Sequence, residues 1–355
     1  MKLHSLEIEN FRAIKHLELD FTDELSKPRL MTLIVGPNGS GKTSIFDAID
    51  IVVKTCENSQ TPKLRDGLIL SAHQIVREIG HYANIGFEYS FNEDEALAII
   101  KIYSEMGASI PERLEVRDLL PTKSSSKIRW SFPSVNFDHS PHIIDEAQNL
   151  ITALGARGIA QKAINLNLES ESIFDKIGGV CYLDQRRTVR LEYSIFNNKN
   201  EKALEHNDVL LLLYKYYSRH ITWNEDKFGE SYWSRIKRLF NKICFPAELV
   251  RFESGPDLDT LILRKNELEY DLYQMSSGEH QILRILVGLT SAIAKNSIVL
   301  IDEIELNLHP TWQKRLIKAL REDTDNNQYI FTTHSPDVIG LFYDSEIIHL
   351  GKLSE

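Results

Sequence analysis

The chain has 355 residues, 42% of them hydrophobic, so it can bury a sizeable core and is not a disordered protein. Its 41 Lys and Arg against 51 Asp and Glu give a formal charge of -10, which excludes a sequence-wide positive field for holding nucleic acid; any DNA contact has to come from a local patch. Three scattered cysteines, Cys56, Cys181 and Cys244, form no CxxC pair and exclude a disulfide framework or a cysteine-based zinc site, which fits a reducing cytoplasm.

The opening MKLHSLEIENF alternates apolar and polar residues like a half-buried strand and lacks the apolar centre of a signal peptide. Residues 3–8 and 16–21 read as an antiparallel pair, and the apolar run 31–35 as a buried central strand. That run passes into GPNGSGKTS and then into SIFDAIDIVVK, whose apolar positions recur at helical spacing. The text ANIGFEYSF…ALAIIKIY, over 82–102, suggests one or two further antiparallel strands. The next stretch is rich in polar residues and prolines and reads as an insertion over 104–176, between an N-terminal ATPase part at 1–103 and a C-terminal part at 177–355. GGVCYL resumes the strand pattern, helices follow around 203–221 and 230–245, and strands return at 247–263. The closing third reads as a loop opening a helix (275–294), a buried strand (297–301), a helix (309–321) and another buried strand (328–333). No stretch approaches the apolar length of about 18 residues needed for a membrane span, so no membrane partner is expected.

The loop Gly36-Pro37-Asn38-Gly39-Ser40-Gly41-Lys42-Thr43, followed by Ser44, matches the P-loop pattern and sits between a strand and a helix as that pattern requires. Its glycines let backbone N–H groups turn inward as an anion nest, and the helix N-terminus adds its positive end. Lys42 is placed to reach the β and γ phosphates of ATP, and the Thr43 hydroxyl to ligate Mg²⁺. A second element, the apolar strand ending in Asp302-Glu303, puts two acids at a buried strand tip, which costs desolvation unless a cation or partner sits there. Asp302 is expected to hold Mg²⁺ and Glu303 to polarise the attacking water.

Tyr273-Gln274-Met275-Ser276-Ser277-Gly278-Glu279 lies between these two elements and resembles the signature loop of ABC ATPases. In that family the serine and glycine, here Ser276 and Gly278, bind the γ-phosphate of ATP held by the opposite subunit. By itself SSGE is also an ordinary helix cap. Phe331-Thr332-Thr333-His334 ends where the family has its switch histidine, and Tyr182-Leu183-Asp184-Gln185 where it has the glutamine that joins the lobes and senses Mg²⁺. The resemblance thus implies an α/β P-loop NTPase of ABC type: a mixed central sheet, an antiparallel β subdomain and a helical lobe.

The full text IDEIELNLHP…THSP, with the opening IENFRAIKHLELDF, is similar to the SMC-like ATPases of the OLD family, to the PtuA-type and retron-associated ATPases of anti-phage systems, and to RecF-like repair ATPases. The likeness is strong over 1–49 and 271–350. It implies that Arg12 lies near the nucleotide and that Glu305, Asn307 and His309 form the loop that crosses the dimer interface. The sequence departs from its relatives at Ile304, where they usually have proline, and at His280, where many have glutamine. OLD nucleases carry a Toprim domain after the ATPase; the little chain beyond His334 leaves none to be expected here.

Two functions are compatible with these residues. In the first the chain is an ATPase whose homodimer or higher oligomer closes on Mg·ATP and so controls a separate effector, such as a nuclease, in phage defence. In the second it is a RecF-like DNA-binding mediator that uses ATP as a clamp. The basic segments Arg186-Arg187…Arg190 and Arg235…Lys237-Arg238 are the candidate DNA contacts, although a basic helix face is more often just solvated. Asp138-His139-Ser140-Pro141-His142 reads as a solvated loop rather than a metal cluster.

Overall fold

The computed structural model describes residues 1–57, 72–105, 126–132, 141–145, 149–165, 177–185, 207–254, 259–290 and 295–351. Strands β1 (Lys2–Phe11) and β2 (Ile14–Asp20) pair antiparallel, as their alternation predicts, with Leu6 opposite Leu19 and Ile8 opposite Leu17. β3 (Met31–Val35) runs into the P-loop and helix α1 (Lys42–Glu57). β4 (Ala83–Ser90) pairs with the other side of β1. The residues after it, ALAIIKIY, form a helix, α2 (Glu93–Glu105), and not a strand. Its buried residues Ala96, Ile99, Ile102 and Tyr103 fall on one helical face. A reciprocal cap starts it: the Asn92 side chain accepts from the Glu95 N–H at 2.8 Å, and Glu95 accepts from the Asn92 N–H at 3.1 Å.

The stretch read as an insertion holds β5 (Ser126–Phe132), β6 (His142–Asp145) and α3 (Asn149–Asn165). β5 pairs with β4 and β6 with β5, so the first sheet has the order β2-β1-β4-β5-β6. Trp130 and Phe132 of β5 are fully buried and belong to the same core as β1 and α1. Arg157 of α3 is buried too; its Nε lies 3.1 Å from the Glu57 carboxylate and its Nη1 donates to the Ile177 carbonyl at 2.8 Å.

β7 (Val180–Leu183) is followed by helices α4 (Asn207–Ile221) and α5 (Tyr232–Cys244). Next comes the antiparallel trio β8 (Ala247–Ser254), β9 (Asp259–Lys265) and β10 (Leu268–Asp271). Helix α6 (Ser277–Thr290), strand β11 (Ile298–Ile301), helix α7 (Pro310–Arg321), β12 (Gln328–Thr333) and β13 (Ile347–His349) complete the order. The second five-stranded sheet, β13-β3-β12-β11-β7, is parallel at every described pairing. A parallel sheet is covered on both faces, and its strands read as continuous apolar runs for that reason. Here Ile34, Ile298, Leu300 and Ile330 point into the core shared with the first sheet, whereas Leu33, Val299, Ile301 and Phe331 point into the core of the helical part. Among the described residues no helix is long and apolar enough to cross a membrane.

Candidate functional site

Because β3, β7, β11 and β12 run parallel, the segments that follow them leave the sheet at one edge. This edge gathers Lys42, Gln185, Asp302 and His334, which lie far apart in sequence. In the P-loop, Gly39 and Gly41 have φ of 79° and 87°, a region that L side chains seldom enter, and these two turns wind the backbone into α1. Asn38 and Gly39 are exposed; Ser40 and Lys42 are buried; Gly41, Thr43 and Ser44 lie between. The Lys42 ammonium donates to the carbonyls of Gly36 and Pro37 at 2.9 and 3.0 Å. Burial pushes its pKa below the ordinary lysine value, while the carboxylates of Asp302, Glu303 and Glu305 pull it back up.

Thr43 Oγ1 donates to Asp302 Oδ2 at 2.8 Å, which brings the P-loop helix and the acidic strand tip together. Asp302 is almost wholly buried, and its second oxygen accepts from Thr332 Oγ1 at 2.6 Å. Its N–H donates to Leu183 O at 3.0 Å, two residues before exposed Gln185. The Thr43 hydroxyl and the buried Asp302 carboxylate are hard oxygen donors at the start of α1, and Ser40 Oγ is buried with no hydrogen-bond partner among the described residues. This donor set fits Mg²⁺ carried by a phosphate chain. Glu303 follows in a left-handed conformation with φ 47°. His334 is exposed at the end of β12; its N–H donates to Glu305 Oε1 at 2.6 Å, and Thr333 Oγ1 donates to Glu305 Oε2 at 2.7 Å.

Arg12 stands at the β1–β2 turn with φ 51° and forms an ion pair with Asp47 of α1. The candidate signature residues sit elsewhere. Ser276 exchanges hydrogen bonds with Glu279, whose carboxylate accepts from its N–H at 2.7 Å and from its hydroxyl at 2.8 Å. Gly278 is buried, and a Cβ there would lie 2.8 Å from the Asn307 carbonyl oxygen and 3.0 Å from the Trp312 ring. The start of α6 is thereby seated on the loop that follows Glu303.

Sequence reading gave no role to Thr332, Thr333 or Trp312. A signal for the threonines was available: QYIFTT is a buried strand that closes on two hydroxyls, and hydroxyls inside a sheet need partners. Of the basic segments, Arg186, Arg187 and Arg190 lie outside the described residues, as does most of the Asp138–His142 motif. Arg235 pairs with Asp323 at 2.8 Å and with Asp325 at 2.5 Å, Arg238 pairs with Glu230 at 2.7 Å, and Lys237 donates to the Val250 carbonyl at 2.8 Å, so that face carries little unpaired charge for phosphates.

Residues 1–176 match a family model described as "AAA ATPase domain", and residues 170–340 match one described as "AAA domain, putative AbiEii toxin, Type IV TA system". The chain is similar to the retron Ec83 probable ATPase of Escherichia coli, at 25% identity over 399 residues that take in 99% of this chain and 72% of the relative. It is also similar to the Septu protein PtuA of Bacillus thuringiensis, at 33% identity over 117 residues, 29% of each protein. Among solved structures, the Pyrococcus furiosus Smc head domain with an extended coiled coil, bound to the C-terminal domain of ScpA, aligns over 99% of this chain and 94% of its own, with a TM-score of 0.54 and 16% identity. That likeness shows a shared fold.

Proposed function

We propose, from the premise that this chain is a P-loop ATPase of the SMC-like ABC type, that it binds Mg·ATP between two copies of itself and uses hydrolysis to switch a separate effector protein in anti-phage defence. The observation that carries the reading is the contact of Thr43 with Asp302 at 2.8 Å, which forms a ready set of oxygens beside Lys42. In this reading Asn38 to Ser44 would wrap the phosphates, Thr43 and Asp302 would hold Mg²⁺ with help from Gln185, and Arg12 would lie near the nucleotide. Glu303 takes the proton of the attacking water, and His334 contacts the γ-phosphate. Mg²⁺ supplies charge neutralisation on the phosphate oxygens.

Ser276 and Gly278 cap the ATP of the partner copy. Ser276 is bonded to Glu279 and Gly278 is seated against Asn307 and Trp312, with no hydrogen bond from either to the P-loop among the described residues, which supports a site completed by a second chain. Defence as the setting, and an effector such as a nuclease as the controlled partner, rest on the relatives named for a retron and for Septu.

Glu303→Gln tests the whole reading. It keeps the shape of the strand tip but removes the carboxylate, so hydrolysis should fall by about 10²-fold or more while ATP binding survives. The closed pair should then accumulate, and ATP, but not ADP, should raise the mass measured by light scattering. A variant that binds ATP without any ATP-dependent change in assembly or in cross-subunit distances between Ser276 and Gly39 refutes the sandwich.

A further inference from the structure

A glutamate in the left-handed region is strained, because its Cβ crowds the following carbonyl oxygen, and it persists only where its surroundings fix it. Glu303, with φ 47°, is such a residue: its carbonyl accepts from the Leu306 N–H at 2.9 Å, and its own N–H is held from the adjacent strand. The Glu303 N–H donates to Thr332 Oγ1 at 2.8 Å, and the next N–H, that of Ile304, donates to the Thr332 carbonyl at 3.1 Å. The same Thr332 hydroxyl spends its own proton on Asp302 Oδ1 at 2.6 Å. Side chain and main chain of one fully buried threonine therefore engage three consecutive residues of the acidic turn.

We propose that Thr332 is a positioning residue for ATP hydrolysis, which sets the backbone of Glu303 so that its carboxylate meets the attacking water. The inference rests on the reading of Glu303 as the base. A hydroxyl is needed because one atom must both accept from Glu303 and donate to Asp302. Serine can do this; valine and alanine cannot. The Ile304 bond to the Thr332 carbonyl is made by the main chain, and Glu305 still holds Thr333 and His334, so the two strand tips stay joined when the hydroxyl is removed.

The test uses the full chain. Thr332→Val and Thr332→Ala should lower kcat by about 10- to 100-fold, the scale of a slightly misplaced catalytic group, with ATP affinity within about twofold of wild type. Thr332→Ser should restore most of the rate. A purely structural threonine would not act through Glu303, so the decisive measurement is the double variant: Thr332→Ala with Glu303→Gln should be no slower than Glu303→Gln alone. A wild-type rate in Thr332→Ala overturns the proposal. So does a further loss in the double variant equal to the single effect, since that would mean action through Asp302. If Thr332→Val does not fold, the alanine and serine pair carries the comparison, because neither places a methyl group against the Asp302 carboxylate. Full activity in Glu303→Gln would instead refute the base assignment itself, a separate outcome.

Discussion

Gly278→Ala sets two well-measured effects against each other, and their balance reports whether α6 is seated as described. In an open helix, alanine is preferred to glycine by about 1 kcal/mol, so the substitution would stabilise. At this position the new Cβ would lie 2.8 Å from the Asn307 carbonyl oxygen, a backbone atom on a turn that is itself left-handed at φ 59°, and 3.0 Å from the indole of Trp312. Neither neighbour is the free end of a flexible side chain, so the helix start or the loop must move by several tenths of an ångström. Overpacking of this kind costs about 1–3 kcal/mol, which offsets the helical preference and leaves a net loss of up to about 2 kcal/mol. Thermal unfolding should show Tm lower by up to about 3 °C, at about 1.3 °C per kcal/mol for a chain of 355 residues. Hydrolysis should fall as well, since the displaced loop carries Glu305, which holds the N–H of His334. A raised Tm would mean that nothing sits above Gly278 and would refute the seat.

Two further substitutions separate folding from function. Ser276→Arg places a bulky cation at an exposed position of the signature loop; ATP binding by titration should be unchanged and steady-state hydrolysis should drop at least tenfold, whereas undiminished hydrolysis would reduce the loop to a helix cap. Arg157→Met removes the cation that faces Glu57 inside the first core and leaves that carboxylate buried; unfolding in urea should show a loss of about 3–5 kcal/mol, and a loss under about 1 kcal/mol would show that the pair is not holding α3 to α1.

The sheet that carries the chemistry was legible because its strands are buried on both faces. Runs such as MTLIV and SIVLI have no competing pattern, and each ends at a glycine loop or at acids that a buried strand would not otherwise tolerate. The first sheet was legible only where alternation stood beside a clear turn, as in β1 and β2. ALAIIKIY fits a strand by content, and it is the cap between Asn92 and Glu95, three residues apart, that makes it a helix. The SKIRWSF strand alternates well, but prolines and polar tracts around it hid its place beside β4; pairing partners distant in sequence leave no local mark. The same limit explains why the contacts of Thr332 with Asp302 and of Glu305 with His334 were not foreseen. Their importance lies in which atoms meet at the ends of two strands, and only the folded sheet brings those ends together. Outside the first core's Arg157–Glu57 pair, by contrast, the surface arginines on β8 and β9 pair with glutamates across strands, a pattern that spacing could have suggested.

The two-sided burial of the parallel sheet has a consequence for what the site tolerates. Neighbouring residues of β12 answer to different interiors, Ile330 to one and Phe331 to the other, so a slip of one residue would push a misfitting side chain into both at once. Each interior vetoes the errors of the other. A deletion upstream in this strand would also hand the partners of Thr332 to its neighbour and aim the wrong hydroxyl at Asp302. The placement of the acidic turn thus depends on apolar side chains in two separate interiors, so a single-residue insertion or deletion in β12 should harm hydrolysis more than a change of side-chain volume in either core.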